Sequence, residues 1–414
     1  MRVGSHLRRM GLGFGCVLAL CVSGCAGSNA TEVPEESSGT AFEALRARET
    51  SPRWATAAIR DGANRLLALQ ADSRFDTAQN GGDAEDLDPD DGGWDWLIPL
   101  AQTEHTAAQS PENLYGATAL ALWAAADVNG STTRLRRAQR AVAQGISERP
   151  EVDSPADFVF LTLLADTTGD SQWAALARTR YEVRTASAGS AVDYALSIRT
   201  ARHASNYDGL IAYDLAWVVL GASALDAYFP GQGYAEDASS VAQLILDDLQ
   251  GVPGYFDRND PHERYYTLGL AWSLVALTHA PGRHPALRRE LRQLLLDGQA
   301  DAGFWGWNAD YPAAEPQSTA HAVQALALTA RSGARAAATR GARWLANQQA
   351  ANGGWAYTAT QEAPLLDADI TLALHLVGSP DPSSELEPAD GVGRARSRLE
   401  ITPSADIPPL ATPW

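Results

Sequence analysis

Two kinds of apolar pattern alternate along the chain. Runs such as YGATALALWAAADV, YDLAWVVLGASALDAY and STAHAVQALALTA are apolar on nearly every side and rich in Ala and Leu, which is typical of buried helices. Such runs begin near Tyr115, Phe158, Tyr213, Tyr265, Thr319 and Ile370. Between them lie charged segments whose apolar residues fall on one helical face. These segments cover residues 54–69, 133–147, 172–185, 235–249, 285–298 and 333–349, with an extra helix near 190–203.

Strand signals are nearly absent, so the pattern predicts an all-α protein. Six buried helices alternating with six amphipathic ones close naturally into two concentric rings. The buried helices then form an inner barrel and the amphipathic helices an outer wall. The predicted architecture is therefore an α/α toroid.

A short corner pattern recurs where amphipathic helices end. Three residues separate a Gln from a Gly, and one residue separates that Gly from an aromatic residue. The three copies are Gln250, Gly254 and Phe256; Gln299, Gly303 and Trp305; and Gln349, Gly353 and Trp355. The glutamines recur about every 50 residues, which is a spacing of helical repeats. A looser copy pairs Gln70 with Trp94.

The corner has a physical interpretation. The side-chain amide can donate to carbonyls left unpaired at a helix end, and the glycine permits a left-handed turn. The aromatic side chain then covers the junction with the next helix. In the fullest copy the residues involved are Arg340, Gly341, Trp344, Leu345, Gln349, Gly353 and Trp355.

That copy fills every position of a pattern that resembles the QW motif of squalene–hopene cyclases. The weaker copies resemble the same repeat in prenyltransferases. The resemblance extends over roughly residues 51–378 in architecture and implies a squalene cyclase/prenyltransferase-type toroid. It also implies that the motifs are structural ties of the outer wall and carry no catalytic residue.

The N-terminus reads as an export signal. A cationic start is followed by a short apolar run over residues 10–22, too short to span a bilayer permanently. The run ends in Val22-Ser23-Gly24-Cys25, which resembles a bacterial lipobox, in which the cysteine is acylated and becomes the first residue after cleavage. An ordinary secretory peptide cut nearby is the alternative.

These observations predict four regions. A lipoprotein signal covers residues 1–25, a flexible tether 26–50, the toroid 51–379 and a disordered tail rich in Pro and Ser 380–414. The protein would then be lipid-anchored at Cys25 in the cell envelope, on a periplasmic or extracellular face. The membrane, contacted through that anchor, is one predicted partner.

Charge and cysteine content narrow the chemistry. A net charge of −18 argues against nucleic-acid binding, which needs basic patches. Cys16 and Cys21 lie inside the signal, so no cysteine follows Cys25. The toroid therefore has no disulfide, no thiolate zinc site of the prenyltransferase kind and no cysteine nucleophile.

An acidic loop, NGGDAEDLDPDDGG, precedes the first buried helix. Its Asp88-Pro89-Asp90-Asp91 matches the Asp-x-Asp-Asp pattern of class II terpene cyclases, whose middle Asp protonates an alkene. By that resemblance Asp90 would be the acid, but its place among many acids favours a solvated loop. Asp86, Asp88 and Asp90 alternate and would be compatible with calcium, although the EF-hand Gly and Glu are missing. No other cofactor is predicted.

If the buried helices run in one direction, their N-termini meet at one mouth of the barrel, where positive helix dipoles gather. The candidate acids and bases at this mouth are Asp214, Glu263, His321 and Asp369. The candidate ligand-binding aromatics are Trp94, Trp96, Tyr213, Tyr265 and Trp307. Two simpler interpretations stand beside these: Asp157, Ser318 and Asp367 are ordinary helix-capping types, and a His on a buried helix is commonly a core residue.

A toroid does not define an activity. The leading hypothesis is a lipid-anchored protein that binds a small molecule or glycan, or acts as a scaffold, without the chemistry of the resembling families. One alternative is a carbohydrate hydrolase or lyase with paired mouth carboxyls. The other is an enzyme similar to class II terpene cyclases. The sequence leaves open whether the protein is an enzyme.

Overall fold

A computed structural model of the protein describes residues 52–70, 93–95, 97–103, 116–148, 154–280, 284–329 and 332–377. The predicted signal with Cys25, the tether, the tail, Trp96 and the acidic loop with Asp86, Asp88 and Asp90 lie outside these residues. The described part holds thirteen α-helices. They are α1 (Arg53–Leu69), α2 (Gly116–Asn129), α3 (Thr133–Glu148), α4 (Pro155–Thr168), α5 (Ser171–Ala188), α6 (Ala191–Ala204), α7 (Ile211–Tyr228), α8 (Tyr234–Leu249), α9 (Tyr266–His279), α10 (Pro285–Asp297), α11 (Pro316–Leu328), α12 (Ser332–Gln348) and α13 (Pro364–Leu376).

Six of these helices form a closed inner ring. In order around the ring they are α2, α4, α7, α9, α11 and α13, each in contact with the next, and α13 contacts α2 again. They are the apolar runs of the sequence, and nearly every residue in them is buried. The predicted inner barrel is confirmed.

The outer layer consists of α1, α3, α5, α8, α10 and α12, each packed against inner helices. Their apolar residues lie on one face, as in α3, where Leu135, Ala138 and Val142 are buried between exposed arginines. The extra helix predicted near 190–203 is α6, which bridges α5, α7 and α8. The described residues therefore form the α/α toroid that the alternating pattern predicts.

The only strands in the described residues are two-residue pieces, β1 (Ile98–Pro99) and β2 (Gln361–Glu362), paired antiparallel. One segment, Asp208–Tyr228, would be long and apolar enough to cross a membrane by length and composition alone. It is mostly buried inside the protein, because its helical part is the inner-ring helix α7.

The tryptophans of the corners occupy equivalent positions. Trp305 and Trp355 are buried, and their indole nitrogens donate to the carbonyls of Leu295 and Leu345, at 2.7 and 2.8 Å. Each carbonyl lies four residues before the corner glutamine. The tryptophan, rather than the glutamine, therefore satisfies the end of its own helix.

The corner glutamines tie neighbouring outer helices together. Gln299 Nε2 donates to the carbonyl of Ala337 on α12, and Gln349 Nε2 to that of Ala58 on α1, both at 2.9 Å. Each amide also donates to the carbonyl of the glycine four residues later, at 2.8 Å. The Gln349 bond links the last outer helix to the first, so this corner helps to close the ring.

A buried ion pair joins the same two ends of the chain. Arg65 on α1 binds both carboxylate oxygens of Glu362 on β2, at 2.6 and 2.8 Å. Asn352 adds a bond to Glu362 at 2.9 Å. Asp367 shares this environment, and burial together with the neighbouring Glu362 raises the pKa of Asp367 well above its usual range. The Arg65 guanidinium therefore binds Glu362 directly and also lowers the electrostatic cost of the neighbouring Asp367.

The corner glycines give a first prediction. Gly353 has φ +94°, and a Cβ there would lie 2.5 Å from the Asp61 carbonyl oxygen on α1. Gly231 also has a positive φ, +76°, but open space around it. We expect Gly353→Ala to lower the free energy of unfolding by at least about 2 kcal/mol, because left-handed strain adds to a backbone clash. Gly231→Ala has only the strain, about 1 kcal/mol. Urea unfolding of both variants tests this. Equal losses of unfolding free energy in the two variants would show that the close approach of Gly353 to α1 does not matter for stability.

Candidate functional site

The first two turns of three inner helices bring their side chains together. Tyr213 is the third residue of α7, His321 the sixth of α11 and Asp369 the sixth of α13; Tyr213 contacts His321, and His321 contacts Asp369. Residues near the N-termini of these helices meet because the helices run in parallel. The N-terminal ends therefore share one mouth, and these residues line the interior just below it.

His321 connects the aromatic and acidic parts of this group. The ring nitrogen Nδ1 accepts from Trp272 Nε1 at 3.2 Å, so a neutral ring carries its proton on Nε2. Nε2 lies 3.5 Å from Asp369 Oδ2. Burial lowers the pKa of His321 to about 3, which keeps the ring neutral. The Nε2–H dipole therefore points toward the carboxyl group of Asp369.

Asp369 is a buried acid. It is 4% exposed, and burial raises its pKa to about 8, against the opposite effect of the Gln324 amide. Its Oδ2 has no hydrogen-bond partner among the described residues, and no arginine or lysine pairs with it there. A carboxyl without a compensating cation in an apolar interior holds its proton at neutral pH.

Three aromatic rings cluster beside His321. Tyr213 lies edge-on to Trp272 and to His321, with ring centroids 5.0 and 5.6 Å apart. Trp217 and Trp272 lie 5.1 Å apart, and Trp272 and His321 5.7 Å. Aromatic faces are electron-rich and stabilise nearby cations. Tyr213 is deep in the ring yet keeps part of its surface accessible, so the interior is not completely filled beside it.

Asp214 is committed to a different contact. Arg202 on α6 donates through Nε and Nη2 to its two carboxylate oxygens, at 2.5 and 3.1 Å, and both residues are buried. A carboxylate held by such a fork is not a free acid or base. This weakens the hydrolase alternative, which needs two available carboxyls.

The remaining mouth candidates lie nearer the rim. Glu263 is half-buried just before α9, and burial raises its pKa. Tyr265 and Trp307 are buried beside each other, with ring centroids 5.2 Å apart. Tyr265 also lies directly against Gly209, just before α7.

Trp94 does not belong to the mouth. It is fully buried, and its indole nitrogen donates to the carbonyl of Leu66 at 2.8 Å, four residues before Gln70. This is the position of Trp305 and Trp355 in their corners, so Trp94 completes the looser fourth copy. The interpretation of Trp94 as a ligand-binding residue is therefore replaced by a structural one.

The capping interpretation is correct in part. Asp157 closes a capping box at the start of α4. Asp367 instead accepts from the backbone N–H of Trp355 at 2.7 Å, and the cap of α11 is Glu315 rather than Ser318. In the part of the chain that the structure describes, no group of three or more His, Cys, Asp or Glu could hold a metal. The predicted calcium ligands Asp86, Asp88 and Asp90 lie outside it.

Sequence reasoning overlooked one signal at this site. Asp367-Ala368-Asp369, in the first two turns of the inner helix α13, matches the first three positions of the Asp-x-Asp-Asp pattern, and the middle Asp of that pattern falls on the buried acid Asp369. Ile370 stands where the pattern has its last Asp. The full match, Asp88-Pro89-Asp90-Asp91, lies in the acidic loop outside the described residues. Trp217, Trp272 and Arg202 could not be recognised from the sequence as site residues. The same residue types also occupy ordinary core and capping positions of helices.

No protein-family model matches the sequence, and no curated protein matches it. Solved structures of the type II terpene cyclase MstE from Scytonema do resemble the fold. The apo enzyme has a TM-score of 0.45 and 16% identity, over 79% of this chain and 98% of that one. A variant bound to its product, merosterolic acid A, has a TM-score of 0.45 and 14% identity, over 80% and 97%. At this identity the likeness concerns the fold alone.

Proposed function

We propose that the protein is a proton-initiated cyclase of isoprenoid-type lipids, with Asp369 as the general acid. One observation carries the proposal: the buried carboxyl of Asp369, whose pKa burial raises to about 8, has no cationic partner among the described residues and lies beside His321 and its aromatic neighbours. Alkenes are weak bases, so their protonation needs an undissociated acid in a water-poor site. Asp369 meets this requirement, whereas Asp214 and Glu362 are neutralised by arginines.

The step balances without a cofactor. Asp369 transfers its proton to a terminal alkene carbon, and a tertiary carbocation forms. A second alkene of the same molecule attacks that cation and closes a ring. Loss of a proton from the cyclised cation ends the reaction and restores the acid, so the product is an isomer of the substrate.

The neighbours of Asp369 can stabilise both products of the proton transfer, the carboxylate and the carbocation. After proton transfer, the Nε2–H of His321 faces the new carboxylate at 3.5 Å and stabilises it. Tyr213, Trp217 and Trp272 present ring faces and edges around the same place, where a carbocation would develop. In this arrangement His321 takes the supporting role that a further Asp would have at Ile370.

The test is turnover of polyprenyl lipids. Squalene and geranylgeraniol are incubated with the full chain and products of unchanged mass are sought by gas chromatography and mass spectrometry. Cyclisation should be lost by about 100-fold or more in Asp369→Asn, because the amide cannot donate a comparable proton. Asp301→Asn, at an exposed corner residue, is the control. Binding without turnover in the unaltered protein would instead support the non-catalytic, ligand-holding function.

The predicted lipid anchor would place this chemistry at a membrane surface, where isoprenoid lipids partition. We expect the protein to be labelled by fatty acid when produced in bacteria and to sediment with membranes. Cys25→Ser should abolish labelling and release the protein, because one cysteine carries the acyl chains. Ser23→Ala, which keeps a small residue two positions earlier, should leave both unchanged. Labelling that survives Cys25→Ser would contradict the anchor.

A further inference from the structure

Two buried hydrogen-bond donors at the mouth have no acceptor among the described residues. They are the hydroxyl of Tyr265 and the indole nitrogen of Trp307. The side chains are 3% and 8% exposed, and their rings touch. Leaving a buried donor unsatisfied costs about 1–3 kcal/mol, so two adjacent ones need an explanation.

An arginine lies over the same place. The Arg264 guanidinium is 5.2 Å from the ring centroid of Tyr265 and 5.9 Å from that of Tyr207. Arg264 is exposed and forms no salt bridge within the described ranges.

Two arginines lie near Tyr265: Arg264 over its ring, and Arg202 nearby. Arg202 is bound by both carboxylate oxygens of Asp214, whereas Arg264 forms no ion pair among the described residues. The hydroxyl, the indole N–H and the guanidinium all donate hydrogen bonds, so what they lack is an acceptor with negative charge.

Packed side chains connect this place to the acid. Tyr265 lies directly against Gly209, just before α7, and Tyr213, in the first turn of α7, packs edge-on against His321, which lies 3.5 Å from Asp369. A molecule with one end at Tyr265 would therefore reach Asp369 along the accessible side of Tyr213.

We infer that Tyr265, Trp307 and Arg264 form a subsite for an anionic oxygen head group, a carboxylate or a phosphate ester, on the substrate of the proposed reaction. The inference rests on the proposed function for the isoprenoid tail of the substrate, whereas the anionic head group is argued from these three residues alone. The exposed guanidinium of Arg264, which lies over Tyr265, would bind the head group from the outer side. The tail lies along Tyr213, with its far alkene at Asp369.

The experiment compares ligands that share one tail. Binding of geranylgeranoic acid, geranylgeranyl diphosphate and geranylgeraniol to the full chain is measured by calorimetry. We expect one or both anions to bind at least about tenfold more tightly than the alcohol, as bonds to a charged acceptor require. The preferred anion distinguishes a carboxylate site from a phosphate site.

Two variants test the assignment. Tyr265→Phe and Arg264→Gln should each weaken binding of the preferred anion about tenfold and leave the alcohol unchanged. Arg289→Gln, an exposed arginine on the outer helix α10, is the matched control. Tyr265→Phe should also keep or raise the melting temperature, because it removes an unsatisfied buried hydroxyl. A structural hydroxyl would lower it.

The outcomes separate the two proposals. Equal binding of anions and alcohol, no binding of any of the three, or no effect of either variant would overturn the subsite. Asp369→Asn should bind the anion as the unaltered protein does. If the anion binds through Tyr265 and Arg264 but no cyclised product forms, the subsite stands and the proposed reaction fails.

Discussion

Replacing Arg65 by methionine should lower the free energy of unfolding by about 3–5 kcal/mol. Arg65 and Glu362 are buried at 3% and 0% exposure and bonded twice. Removing the guanidinium leaves Glu362 as an uncompensated buried charge, or forces it to take up a proton beside Asp367. Methionine fills a similar volume, so the loss reports charge and hydrogen bonding rather than a cavity. Urea unfolding at neutral pH measures it.

The matched control is Arg60→Met, on the same helix. Arg60 pairs with Asp61 at 3.0 Å, but both side chains are exposed, and exposed pairs contribute at most about 1 kcal/mol. The loss at Arg65 should also weaken the corner at Gln349, because both join the ends of the chain. Equal, small losses in the two variants would mean that the ring closes without the Arg65–Glu362 pair.

The second large effect is a change in how stability depends on pH. The pKa of Asp369 is about 8 in the folded protein, against an ordinary value of about 3.9 in an unfolded chain. Between these values the folded state binds a proton that the unfolded state has released. The contribution of Asp369 to stability is therefore fully present below about pH 4 and is lost as pH rises to about 8.

Asp369→Asn removes this dependence. Relative to the unaltered protein, the variant should become more stable as pH rises from 4 to 8, by up to about 1.4 kcal/mol per pH unit, with no further change above pH 8. His321 titrates in the opposite sense in both proteins, so its effect cancels in the difference. Melting temperatures across this pH range measure the difference, and Asp301→Asn should show none. A constant difference between Asp369→Asn and the unaltered protein would contradict a protonated Asp369.

Periodicity alone predicted most of the fold. The apolar runs predicted the inner ring because a helix that is apolar on all sides must be surrounded by other helices. Amphipathic helices, which are apolar on one face only, belong in the outer layer. The Gln–Gly–aromatic spacing located the corners, although it assigned the carbonyl contact to Gln rather than to Trp305 and Trp355. The β1–β2 pair was not predicted, since two residues carry no period.

The site was harder to predict, for a physical reason. Which ionisable residue is an available acid depends on partners far away in the chain. Asp214 and Asp369 look alike in sequence, and only the fold shows that Arg202 neutralises one while nothing described neutralises the other. Trp94 and Trp307 likewise differ only in whether the indole finds a carbonyl.

The most direct test of the central claim is an infrared difference titration. Spectra of the unaltered protein minus those of Asp369→Asn isolate the carboxyl stretch of one residue, free of other buried acids such as Asp367 and Glu315. We expect a protonated-carboxyl band at pH 6 and 7 that disappears as pH rises through about 8. A carboxylate spectrum already present at pH 6 would show that Asp369 has no proton to give.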